Sequence, residues 1–198
     1  MMLGISAHAQ KLILPVPSDL PGKAQQKQIA RKYGMFIHFG INTFHNEEWT
    51  DGSKPASSYA PVAIDAEQWI RTARDAGMKY VILITKHHDG FCLWDSKYTD
   101  YDVAASGNKT DVVEAVAKAC KKYKIGLGLY YSLWDRKMNR DVDDRSKDAG
   151  YNEYMLRQLA ELVDIARKHT PISGQYTPAH LQPALPDKAP GALPLPLP

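Results

Sequence analysis

The chain has 198 residues, 44% of them hydrophobic, and a formal net charge of +3. That apolar content suffices for one buried core, while 25 basic and 22 acidic residues intermixed argue against a nucleic-acid-binding surface. Two cysteines, Cys92 and Cys120, are too few for a disulfide framework or a four-ligand zinc site, and no apolar run approaches the length of a membrane span.

At the N-terminus, Met1 to Ser6 is mildly apolar and Ala7-His8-Ala9 has the small-x-small form of a signal-peptidase site. Residues 1–9 are therefore expected to be the remnant of an export signal, which would place the mature protein in the periplasm or outside the cell. Residues 10–29 contain Pro15, Pro17 and Pro21 and are expected to form an extended lead-in. The run Gly34-Met35-Phe36-Ile37-His38-Phe39-Gly40 is apolar and bounded by glycines, which predicts a buried strand with His38 near its exit. A loop over 42–61 then carries Glu47, Glu48 and Trp49. Asp65 and Gln68 have the spacing of a capping box, and Trp69, Ile70, Ala73 and Ala76 recur at helical spacing until Gly77 stops the element.

The second strand, Lys79 to Thr85, has no polar alternation, as expected of a strand covered on both faces. It runs directly into Lys86-His87-His88-Asp89-Gly90, so a buried element delivers polar groups at its own end. Beyond a loop over 92–108, Val112, Val116, Ala119, Cys120 and Tyr123 form the apolar stripe of a helix over 111–123, and Cys120 packs there as a small apolar residue. A third strand is predicted over 124–132, and a helix over 151–168 carries the stripe Tyr151, Tyr154, Leu159, Leu162 and Ala166.

Strands alternating with helices imply right-handed crossovers and a parallel sheet. His38, the His87–His88 pair, and Tyr130 and Tyr131 with Trp134 and Asp135 then stand at three strand exits on one face, the arrangement of an active site at the C-terminal end of a (β/α)8 barrel. A doubly wound sheet fits less well, because no Gly-x-Gly-x-x-Gly loop follows the first strand. The expected fold is therefore α/β, a partial (β/α)8 TIM barrel of about three units over 30–169. Eight of the thirteen prolines fall in the last 28 residues, so 170–198 is expected to be an extended low-complexity tail. Three units are less than half a barrel, so uncovered sheet edge and apolar surface are expected of a truncated chain.

Several chemistries can be compared at this rim. Adjacent histidines on an extended backbone point in opposite directions, and no His-x-x-x-His or His-Glu-x-x-His spacing occurs in the body, so no metal site or cofactor is expected. No Gly-x-Ser-x-Gly elbow is present either. Sugar binding suits the set better: histidines, tyrosines and carboxylates supply donors and acceptors for hydroxyls, and Trp49, Trp94 and Trp134 supply planes for the apolar sugar face.

The segments Gly34 to Gly40, Glu48-Trp49, Ala76 to Tyr80, Lys86 to Trp94, Lys97-Tyr98-Thr99 and Gly128 to Ser132 together resemble the α-L-fucosidases of glycoside hydrolase family 29, over roughly residues 30–162. Asn42-Thr43-Phe44 and Trp134-Asp135-Arg136 are similar to the branch acting on α-1,3/1,4-linked fucose. The resemblance implies a metal-free retaining hydrolase that removes terminal α-L-fucose from oligosaccharides or glycoconjugates. It also implies that His38, His87 and His88 contact fucose hydroxyls, that Glu48 and Trp49 line the sugar pocket, and that Tyr130 lies beside the nucleophile.

The family nucleophile, an aspartate in a Trp-Phe-Asp-Gly type motif, has no counterpart in this sequence, which departs from the pattern near Val163 and Asp164. Asp164 falls in helical register, Asp187 lies among the terminal prolines, and the acid/base glutamate is also without counterpart. No catalytic residue is therefore assigned, and the chain is expected not to hydrolyse fucosides by itself. A glycan-binding fragment without catalysis and a metal-dependent barrel hydrolase are the alternatives, the second distinguished by loss of activity on chelation.

Overall fold

The computed structural model describes residues 20–138 and 148–169. The signal-like residues 1–9 and the proline-rich stretch 170–198 lie outside the described residues. The chain divides into two units, residues 1–32 and 33–198.

In the first unit, the stretch expected to be extended contains a helix, α1 (Lys23–Arg31). The Gly22 amide donates to Gln25 Oε1 at 2.7 Å, which satisfies one of the unpaired donors of the first turn. No residue of α1 is buried, so it has no apolar stripe for a sequence pattern to reveal.

The second unit holds β1 (Gly34–Ile37), α2 (Ala66–Asp75), β2 (Tyr80–Lys86), α3 (Val112–Tyr123), β3 (Gly126–Tyr131) and α4 (Asp148–His169). The strands form one parallel sheet in the order β1-β2-β3, with Phe36 beside Ile82 and Ile82 beside Gly128. This is the open β/α arrangement expected of three consecutive barrel units. Asp65 caps α2 by accepting the Gln68 amide at 2.9 Å, but the Gln68 side chain turns to Thr72 instead of completing the box. Asp111 caps α3 through the Glu114 amide at 2.7 Å, and Lys124 ends that helix in the left-handed conformation.

Alternation along the strands separates two faces. Met35, Val81 and Leu127, with Ile37, Leu83 and Leu129, share the face that joins Ile70, Ala73, Val113, Val116 and Cys120 in the core. Ile70, Val81 and Leu83 are fully buried there, each stabilising the fold by about 1.5–3 kcal/mol. The other face carries Phe36, Ile82 and Gly128, and Phe36 keeps 64% of its surface exposed. Among the described residues, helix packing on one face holds the sheet, while the opposite face is open around Phe36 though Ile84 on it is buried, and β1 and β3 are edge strands.

Candidate functional site

β2 ends at Lys86, and the chain turns at once: the Gly90 amide donates to the His87 carbonyl at 3.1 Å, and Gly90 takes φ +83°. A side chain at Gly90 would also collide with the Asp135 carboxylate, its Cβ lying 2.5 Å from Oδ1. This turn overturns the expectation that His87 and His88 point apart. Off the extended backbone their rings lie face against face, with centroids 4.1 Å apart and planes 36° from parallel.

His38, one residue past β1, meets His87 edge-on at 4.6 Å, and Tyr130 near the end of β3 lies 6.3 Å from the same ring. Trp49 approaches His88 edge-on at 5.8 Å, and Trp134 lies 5.0 Å from it. His38, Trp49, His87, His88 and Tyr130 are thus brought to one place by three strand ends and one loop. The loop is held from below by Asn42, whose amide donates to the carbonyls of Glu47 at 3.2 Å and Glu48 at 2.9 Å.

Backbone bonds tie the end of β2 to the turn after β3. The Ser132 amide donates to the Lys86 carbonyl at 3.0 Å and the Arg136 amide to the His88 carbonyl at 2.8 Å. Beneath them Lys86 and Asp135, both with fully buried side chains, form an ion pair at 2.5 Å. Lys86 Nζ also donates to the Tyr131 hydroxyl at 2.8 Å, which in turn donates to Gln158 Oε1 at 2.7 Å. Sequence reasoning placed Tyr130 and Tyr131 together at the exit, whereas the structure sends Tyr130 to the histidines and Tyr131 into this buried network. The Lys86–Asp135 pair was not foreseen, because nothing in a sequence links groups 49 residues apart.

Electrostatics keeps the imidazoles neutral. Burial first, then the neighbouring His88 and His38, lower the pKa of His87 to about 4. Burial also lowers that of His38, and burial, then the Arg136 charge and His38, lower that of His88, against a smaller opposing effect of Glu48. Near neutral pH each ring then carries one N–H and one bare acceptor nitrogen, so the three together can present both donors and acceptors to sugar hydroxyls. Asp89, next in the chain, is buried, and burial raises its pKa to about 6.

Trp94 does not join this group. It is fully buried, and its indole N–H donates to Glu161 at 2.9 Å, so it is a core residue and not a sugar platform. Cys92 is also buried, and burial pushes its thiol well above the ordinary range, away from nucleophilic reactivity. A cavity of about 620 Å3 between α3 and α4 has none of the rim residues in its wall. Several of its polar groups are already engaged: Asp111 caps α3, Glu114 pairs with Lys118, and Glu161 accepts from Trp94, Ser96 and Lys97. Among the described residues, no three His, Cys, Asp or Glu side chains converge in a metal-binding arrangement.

Residues 18–170 match the α-L-fucosidase family. The chain is similar to α-L-fucosidase 1 of Arabidopsis thaliana, with 45% identity over 154 residues covering 76% of this chain and 29% of that protein. Among solved structures, it resembles a glycoside hydrolase family 29 member from a rumen bacterium, at 36% identity with a TM-score of 0.65, covering 72% of this chain and 26% of the other. It also resembles a Thermotoga maritima α-fucosidase in complex with fucose, at 30% identity with a TM-score of 0.57, covering 69% of this chain and 43% of the other. The chain spans about three tenths of the length of the first curated relatives it matches.

Proposed function

The chain belongs to the α-L-fucosidase family, glycoside hydrolase family 29, and from that premise we propose that its rim is the fucose-binding half of a retaining α-L-fucosidase site. The observation that carries this reading is the convergence of three neutral imidazoles, His38, His87 and His88, within 4.6 Å of their neighbours beside Trp49. In this reading the imidazoles bond fucose hydroxyls, Trp49 and Glu48 border the sugar, and Tyr130 stands where the family resemblance puts the neighbour of the nucleophile.

Retaining hydrolysis needs two carboxyl groups about 5–5.5 Å apart, one to attack the anomeric carbon and one to act as acid and then base. The carboxylates near the rim are mostly engaged already: Asp135 by Lys86, Asp89 by the Phe91 amide, Glu47 by Lys54 and Asp51 by Ser53. Among the described residues, Glu48 alone does not make a pair. In this reading the 198-residue chain binds L-fucose without hydrolysing fucosides.

Incubation with a chromogenic α-L-fucoside, run alongside an L-fucose titration, tests both halves. The expected result is no release of chromophore, together with binding that His88→Ala weakens by about 1–3 kcal/mol. Turnover by the wild-type chain that His88→Ala abolishes would contradict the absence of hydrolysis. Binding unchanged in that variant would remove His88 from the site.

A further inference from the structure

The hydroxyl of Ser132 carries a single hydrogen, and two neighbours compete for it. Its Oγ lies 2.7 Å from the Trp134 carbonyl oxygen and 2.8 Å from His88 Nδ1. A carbonyl oxygen can only accept, and two oxygen lone pairs facing each other at 2.7 Å with no hydrogen between them would repel. The hydroxyl hydrogen therefore points to Trp134. Ser132 Oγ is left as an acceptor toward His88, so the hydrogen on that side belongs to Nδ1.

The surroundings hold this geometry fixed. Ser132 is buried, and its amide is bonded to the Lys86 carbonyl two residues before His88. The Arg136 amide holds the His88 carbonyl from the other end of the same turn. His87 is different: its Nδ1 is buried and has no hydrogen-bond partner among the described residues. Of the stacked pair, His88 is the ring with a hydroxyl fixing its orientation.

We infer that Ser132 is a positioning residue that holds His88 in the Nδ1–H tautomer, so that Nε2 presents a bare lone pair and accepts a hydrogen bond from a ligand hydroxyl. The ligand's role at this nitrogen is then that of donor. A sugar hydroxyl serves, whereas an ether oxygen or fluorine at the same position cannot. The inference rests on the reading that His88 faces fucose, but the tautomer can be measured without any ligand.

The measurement is a two-bond proton–nitrogen correlation spectrum of the 15N-labelled 198-residue chain at neutral pH, with the His88 signals identified by their loss in His88→Ala. The expected spectrum has His88 Nδ1 in the protonated range and Nε2 in the unprotonated range. Ser132→Ala, if folded, should shift the ring toward the Nε2–H form and weaken L-fucose binding roughly tenfold, the effect of one lost hydrogen bond. Ser132→Thr keeps the hydroxyl and should restore both. A wild-type His88 protonated at Nε2 overturns the inference even if Ser132→Ala fails to fold, as does an unchanged tautomer in a folded Ser132→Ala. An Nδ1–H ring that L-fucose leaves unmoved would instead overturn the fucose reading and leave the Ser132 contact standing.

Discussion

His87 and Asp89 flank His88 and titrate in opposite senses. The fold lowers His87 from 6.5 to about 4, so its contribution to stability is present above pH 6.5 and is lost as the pH falls toward 4. The fold raises Asp89 from 3.8 to about 6, so its contribution is present below pH 3.8 and is lost as the pH rises through 6. Between about pH 4 and 6 the two trends oppose each other, and above that window the cost of the buried Asp89 carboxylate remains in full. Asp89→Asn removes this cost and keeps Oδ1 for the Phe91 amide, now bonded at 3.0 Å. The variant should be more stable than wild type at pH 8, by on the order of 2 kcal/mol, with the gain vanishing near pH 4. Urea denaturation at the two pH values checks the sign, and a variant less stable at pH 8 would refute it. At this scale the sequence identified the rim residues His38, His87, His88, Trp49 and Tyr130, but not how the rings meet. The turn at Gly90 needs glycine both for its positive φ and because Asp135 and Lys137, from a distant segment, fill the space a side chain would occupy.

β2 shows how an element ends in function. Its residues from Val81 to Thr85 were legible as a buried strand because an unbroken apolar run has few other places to go. The strand extends one residue further, to Lys86, whose buried ammonium is tolerated because the Asp135 carboxylate and the Tyr131 hydroxyl receive it. Replacing Lys86 by Met leaves Asp135 as an uncompensated buried charge and should cost about 3–5 kcal/mol. The double variant Lys86→Met with Asp135→Leu should recover most of that loss. Denaturation midpoints of the two variants distinguish a costly orphaned charge from an indispensable ion pair: equal destabilisation of both would contradict this account. α1 was missed for the opposite reason, since a helix with no buried face leaves no periodic signal. The end of the third strand was legible, and alternation alone sends the adjacent Tyr130 and Tyr131 to opposite faces, but which of the two meets the histidines depends on how β3 registers against β2.

For the molecule as a whole, three parallel strands with helices on one face account for how the rim is assembled. The strand ends gather a neutral, aromatic-bordered set of donors and acceptors. The opposite face is open at Phe36, which is 64% exposed beside the half-buried Ile82, whereas Ile84 nearer the rim on the same face is buried. Recognition of a sugar needs only the first of these features, whereas hydrolysis needs a second carboxyl group that the described residues do not bring to the rim. The sequence led to the barrel fold and the family through the alternation of elements and the Lys86 to Trp94 segment. It suggested Trp94 as a sugar platform only because burial cannot be read from residue type.

The most direct measurement is to follow the ring signals of the 198-residue chain by NMR as L-fucose is added. His38, His87, His88 and Tyr130 should shift together along one binding curve, while His45, bonded to Ser58 at 2.8 Å, stays in place. A folded chain in which L-fucose leaves the three rim imidazoles unmoved, or moves His45 instead, would contradict the account.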